Sequence, residues 1–189
     1  MQLNRLWSGL ILASMLVIDV HAAGPLSARR PERIRNRKYG FSVVFPKAWY
    51  VWEGAGLPTF FNYSAEDAPP QGLLPPHGAS IAVIMCRHLP KERDTDDVSA
   101  CADREVRARS GVTVGKREIS GPVSGAPALW VDFEERALAR EGDAVRLVVI
   151  FWQLGGRAFG ARLEYIKGDP DGPRYERTMI DVVESFRPL

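Results

Sequence analysis

Asp132 and Glu134 are the two carboxylates best placed for acid–base work in this sequence. They stand in ALWVDFEE (128–135), where side chains alternate. On a strand they share the face of Trp130, while Leu129, Val131 and Phe133 take the other. A carboxylate pair beside an aromatic is the equipment of a sugar-processing site. The same residues also describe a solvated sheet face with a tryptophan at its edge. Cys86 and His88, two apart, would meet on one strand face as nucleophile and base, but no third group orients the histidine. Ser124 lies in GPVSG, which lacks the G-x-S-x-G spacing of a nucleophile elbow. Asp94-Thr95-Asp96-Asp97 begins like a calcium loop and lacks the glycine and distant glutamate that would complete it. Placed ahead of an apolar periodic run, these acids read as helix-start residues. No glycine-rich phosphate loop follows a strand. Basic residues in the body are mixed with acids rather than striped with aromatics, which argues against a nucleic-acid partner. The expectation is a protein with no catalytic set, no metal site and no cofactor. The alternative is a small hydrolase or ligand-binding enzyme using Asp132, Glu134 and His88.

Binding is better served by residues 64–78, SAEDAPPQGLLPPHG, with four prolines and two glycines. Such a segment makes neither a helix nor a central strand, and long irregular segments in small domains are often binding loops. Leu73 and Leu74 sit between prolines in its middle, with His77 near its end. These three are the candidate binding residues. The leucines either fold back on the core or offer an apolar contact to a partner.

The elements that must hold these residues centre on 144–165, AVRLVVIFWQLGGRAFGARLEY. Val145 to Trp152 is apolar on nearly both faces, which marks a central strand covered on both sides. Gly155-Gly156 turns it into a partner on which Phe159, Ala161, Leu163 and Tyr165 share one face. Further strands are expected at 41–45, 49–52, 59–63, 80–85, 116–120 and 127–135, the first stopped by Pro46. Val98, Cys101, Ala102 and Val106 recur at helical spacing, with Gly111 as a stop. A last helix begins at Gly172-Pro173 and carries the stripe Tyr175, Met179, Val182, Val183 and Phe186, with Pro188 preventing its continuation.

At 189 residues, 46% hydrophobic and 25% charged, the chain can bury one substantial core. Its N-terminus reads as an export signal over 1–22, with a retained membrane anchor as the alternative. Arg5 is the positive region, Leu6 to Ile18 the apolar one, and Val20-His21-Ala22 the cleavage site. Residues 23–38 carry six basic side chains against Glu32 alone and form a Pro-containing arm, a solvated linker or a weak contact to an anionic surface. Export to a periplasmic or secreted location gives Cys86 and Cys101 a meaning, since an oxidising compartment favours a disulfide. Two separately buried thiols are the other arrangement.

Gly40-Phe41 opening a strand that ends at Pro46, with Trp49 three residues on, resembles the start of the PsbP-like superfamily. That superfamily includes photosystem II lumenal subunits and many small exported bacterial proteins. Glu184-Ser185-Phe186-Arg187 stands where such domains end their closing helix near Ser-Phe. The resemblance covers 39–189 and implies an α+β fold: an antiparallel sheet with two main helices packed on it, an α/β/α sandwich. It brings no functional residue, because one fold hosts many roles. The functional expectation is an exported, non-catalytic protein that binds a protein or envelope component. A small lipophilic ligand between sheet and helix is a third option raised by five tryptophans and eight phenylalanines.

Overall fold

The structure, a computed structural model, describes residues 33–52, 57–64, 66–68, 74–86, 97–108, 112–120, 127–135, 143–154 and 156–189. The signal segment 1–22, Leu73, His88, Asp94 to Asp96, Gly111 and Gly121 to Gly125 lie outside them. Among the described residues no helix is long and apolar enough to cross a membrane.

The fold is α+β, as the PsbP-like pattern implies. In chain order the elements are β1 (Arg33–Asn36), β2 (Phe41–Val44), β3 (Tyr50–Trp52), β4 (Thr59–Phe61), β5 (Ala79–Met85), α1 (Val98–Ala108), β6 (Val112–Ile119), β7 (Ala128–Glu135), β8 (Val145–Leu154), β9 (Arg157–Ile166), α2 (Gly172–Glu184) and β10 (Arg187–Pro188). Seven strands form one antiparallel sheet in the order β3-β4-β5-β9-β8-β7-β6. β8 sits inside it, paired to β7 and β9 along its length. Gly156 at φ +74° closes the β8–β9 hairpin in the left-handed region that glycine enters without steric cost.

Burial on both faces of β8 divides the core in two. Val148, Ile150, Trp152 and Leu154 join the α2 side with Phe159, Ala161, Leu163 and Tyr165 of β9 and Tyr175, Met179, Val182, Val183 and Phe186. Leu147, Val149 and Phe151 face the other way, packing with Leu129, Val131 and Phe133 against Cys101 and Ala102 of α1. The two helices therefore lie on opposite faces. On the α2 side the aromatics fill one another's space: Phe41 stacks on Phe186 at 4.9 Å between centroids, and Trp152 meets Phe186 edge-on at 5.0 Å.

Two features differ from the expectation. The arm expected over 23–38 joins the fold at Arg33, because β1 pairs antiparallel with β2. Arg33 Nη1 donates to Ser42 Oγ at 3.0 Å and to the Ser185 carbonyl at 3.0 Å, so this cation serves the C-terminal end of α2. Secondly, β2 does not enter the main sheet. It forms a three-stranded sheet, β1-β2-β10, on the α2 side, where Pro188 pairs with Phe41 at an edge that asks no N–H of it. The helix ends at Glu184 with Ser185 as its C-cap, before Pro188 is reached, and the chain then turns back as a strand.

α1 is attached by few apolar side chains; only Cys101 and Ala102 are buried along its 11 residues. Asp97 Oδ1 accepts the Ser99 N–H at 2.9 Å, the capping role expected of this acid. Lys116 Nζ reaches Asp103 Oδ1 at 2.7 Å from β6. The disulfide Cys86–Cys101, with Cα atoms 5.9 Å apart, ties the helix to the end of β5.

Replacing both cysteines by serine removes a crosslink that closes a 15-residue separation. A loss of about 3 kcal/mol is expected from urea unfolding followed by tryptophan fluorescence. A loss below about 1 kcal/mol would mean that packing alone holds α1. Met179 is fully buried, and Met179→Ala should cost about 2–5 kcal/mol. Val114→Ala, at a residue 66% exposed, should stay within about 0.5 kcal/mol in the same assay.

Candidate functional site

Two connections meet beside the N-terminus of α2: the end of the Pro-rich loop, 74–78, and the β9–α2 turn, 167–171. They border a cleft of about 230 Å³ lined by Leu74, Pro76, His77, Asp143, Ile166, Lys167, Gly168, Asp169 and Pro170.

His77 stands at φ +57°, which is uncommon for a residue with a side chain. Buried and half-buried partners grip its backbone there. The His77 carbonyl accepts from Asn62 Nδ2 at 2.9 Å and from the Tyr175 hydroxyl at 2.7 Å. Asn62 in turn accepts the Ala79 N–H at 2.7 Å, locking the loop to the start of β5. The imidazole is 67% exposed, with Nδ1 3.3 Å from Asp169 Oδ1, whose side chain is 2% exposed. Asp169 Oδ1 also accepts the Asp171 N–H at 2.9 Å, the short-range turn expected of a Gly-Asp-Pro-Asp-Gly-Pro sequence. Asp171 is the N-cap residue of α2, yet its side chain makes no cap hydrogen bond. The ligand atoms of His77, Asp169 and Asp171 lie within 4.8 Å of one another. Burial, helped by the nearby charges of Asp169 and Asp171, pushes the Tyr175 hydroxyl up to about 12, so it stays a donor to the His77 carbonyl at physiological pH.

Close packing fixes this turn on the sheet. A Cβ on Gly172 would fall 2.7 Å from the Tyr165 ring, so the first residue of α2 lies flat against that aromatic. Tyr165 donates to Glu176 Oε1 at 2.7 Å, and burial with that bond holds its pKa above the ordinary tyrosine value.

Of the candidate loop residues, Leu74 is buried and lines the cleft, and His77 is exposed at its mouth. Leu73 falls outside the described residues. The loop leucine that is described thus folds back onto the molecule and shapes the pocket wall.

The carboxylates on the β7 face are neutralised by cations. Asp132 accepts from Trp130 Nε1 at 2.9 Å and from Arg146 Nη2 at 3.2 Å, and Arg146 also reaches Glu176 at 3.3 Å. Burial works against the Arg146 charge, but Tyr165, Glu176 and Asp132 raise its pKa overall. Glu134 pairs with Lys167 Nζ at 2.7 Å. These contacts make a cross-strand ion network over β7, β8 and the end of β9, with Arg117 of β6 stacked 4.9 Å above Trp130. His88, the third member of that alternative, lies outside the described residues, and Cys86 is consumed by the disulfide.

Asp143, Asp169, Asp171 and Tyr175 were not singled out from the sequence as site residues. For Asp169 and Asp171 the signal was present in the Asp169-Pro170-Asp171-Gly172-Pro173 run. It reads first as a helix start, and nothing in the spacing tells that His77, 92 residues earlier, comes to face it.

No family model and no curated protein matches this chain. Solved structures do. Cyanobacterial PsbP (CyanoP) of Synechocystis sp. PCC 6803 superposes with a TM-score of 0.51 at 11% identity, over 89% of this chain and 98% of that one. A Pseudomonas aeruginosa protein of unknown function described as a putative regulator gives 0.48 at 15% identity, over 85% of this chain and all of the other. A Bacteroides thetaiotaomicron protein gives 0.49 at 13%, and there this chain spans 49% of the other's length. At these identities the likeness is one of fold. With its antiparallel sheets and two packed helices, the chain has the PsbP-like fold.

Proposed function

We propose that this is an exported, non-catalytic binding protein that engages a protein or envelope component through the surface around Pro76, His77 and the β9–α2 turn. One observation carries the reading: the exposed His77 is held at positive φ by Asn62 and Tyr175 at the mouth of the cleft. Strained, non-glycine backbone persists where the surroundings over-determine it, and such positions cluster at recognition sites. The enzyme alternative has less to work with, since Asp132 and Glu134 each hold a cation within 3.2 Å. The lipophilic-ligand option meets a core in which Trp152, Phe159 and Phe186 already pack against one another.

Export to a periplasmic or secreted location is part of the same proposal. It is supported by the Cys86–Cys101 bridge, a bond that persists in oxidising compartments. The apolar Leu6 to Ile18 run supports it from the sequence side.

A photocrosslinking residue in place of Pro76, in the full chain expressed in its native cell, should yield a discrete adduct with an envelope or exported protein. The same residue in place of Val114, on the edge strand β6, should not. Adducts at Val114 alone, equal adducts at both, or none at either would remove the surface assignment. Protein recovered from that cell should lack residues 1–22 and show no free thiol; reduced cysteines would defeat the export reading.

Tyr175→Phe tests the anchoring of the loop. Loss of the donor to the His77 carbonyl should lower stability by about 1–3 kcal/mol and weaken the Pro76 adduct severalfold. An unchanged adduct would show that the loop conformation does not govern binding.

A further inference from the structure

We infer that His77, Asp169 and Asp171 form a three-ligand site for a divalent transition-metal ion of the zinc class. The inference deepens the binding reading, since it concerns the same surface, but its readout is independent of any partner.

Distance supports it. Zinc bonds nitrogen and carboxylate oxygen at about 2.0–2.2 Å, so two ligand atoms of one tetrahedral ion stand about 3.4 Å apart. His77 Nδ1 and Asp169 Oδ1 stand 3.3 Å apart. That is long for a charge-assisted hydrogen bond, which closes to about 2.7–2.9 Å, and suits two ligands of one ion. The whole set spans at most 4.8 Å, so small rotations of the exposed imidazole and the Asp171 carboxylate complete the triangle.

The state of each carboxylate points the same way. The Asp169 side chain is 2% exposed; it accepts the Asp171 N–H at 2.9 Å and stands 3.5 Å from the Tyr175 hydroxyl, and among the described residues its ion-pair partner is the imidazole, with no lysine or arginine beside it. A carboxylate taken so far out of water calls for a positive partner. Lys167, two positions before Asp169 in the sequence, is paired with Glu134 at 2.7 Å. Asp171 stands at the N-cap of α2 and forgoes the cap bond that an aspartate there normally makes. Its carboxylate instead lies within reach of a second carboxylate, a like-charge arrangement that a dication would relieve. Asp143 adds a further acid to the cleft wall.

The donor set selects the ion. One imidazole and two carboxylates favour zinc or a neighbouring first-row ion over calcium, which takes six to eight oxygens. Three protein ligands leave a coordination position that a partner's side chain or water would fill. Magnesium, which keeps most of its water, should compete poorly.

The test is titration of the full-length, EDTA-treated, disulfide-intact protein with zinc alone, by calorimetry and thermal unfolding. One zinc per chain is expected, with a dissociation constant of order micromolar and a Tm that rises with zinc and not with calcium or magnesium. His77→Asn keeps a residue that tolerates positive φ, Asp169→Asn keeps the turn acceptor, and Asp171→Asn keeps a good N-cap. Each removes a metal ligand while preserving the local structural role, so each should weaken zinc binding at least tenfold with little change in metal-free Tm. No binding by the parent protein overturns the inference. So does zinc binding that survives all three substitutions, which would place the ion elsewhere, for instance at His88. A parent protein that fails to bind zinc but still yields the Pro76 adduct would remove this inference and leave the binding surface standing.

Discussion

Burial of β8 on both faces is the constraint on which the rest of this molecule depends. A strand of ten residues whose Leu147, Val149 and Phe151 point one way and Val148, Ile150 and Trp152 the other cannot tolerate water on either side. The sheet around it must therefore be roofed twice, and each roof is a helix. Neighbouring β7 and β9 follow the same alternation through paired registers, so one choice of face at β8 orients every side chain across three strands.

The two roofs are built by different means. α2 brings five buried side chains, or residues just beyond its end, onto β9 and is extended by the small sheet whose Phe41 and Val43 close the same core. α1 brings two buried small residues and is secured by a covalent bond to β5. A helix with so little apolar surface gains little from burial alone, at about 25 cal/mol per Å². The crosslink limits the open states available to it instead. Oxidation is thus part of how this face of the sheet is covered, which ties the fold to the redox state of its compartment.

The well-packed α2 side also creates the site. Because Gly172 lies against the Tyr165 ring, the turn preceding α2 is held close to the sheet end, and the Tyr175 hydroxyl is delivered beneath the 74–78 loop. The loop cannot relax away from its positive-φ histidine without breaking bonds to Asn62 and Tyr175. An irregular segment is made rigid by two polar anchors, one just after β4 and one from α2. On the neighbouring strands β7 and β8 the same crowding produced the opposite outcome. Asp132, Glu134, Arg146, Lys167 and Glu176 satisfied one another, which turned a promising carboxylate pair into a structural ion network.

Periodicity within single segments was enough to read the hairpin of β8 and β9, the β7 faces, both helices and the Tyr175-to-Phe186 stripe, because neighbours in a strand or helix dictate those patterns locally. The Cys86–Cys101 pairing was legible because strand end and helix start are close along the chain and the residues are few. The small sheet was not. Its partners Arg33–Asn36, Phe41–Val44 and Arg187–Pro188 are too short and too far apart to announce one another, and Arg33 looked like solvated charge until the end of α2 met it. His77 was singled out from its proline-rich setting, but its meeting with Asp169 and Asp171 was not, since 92 residues separate them and only the return of β9 alongside β5 brings both ends together. What the amino-acid sequence determined by itself was which faces must be buried. Which distant polar groups would then stand side by side was decided by tertiary structure, because that depends on how long strands end, and alternation along a strand says nothing about what waits at its end.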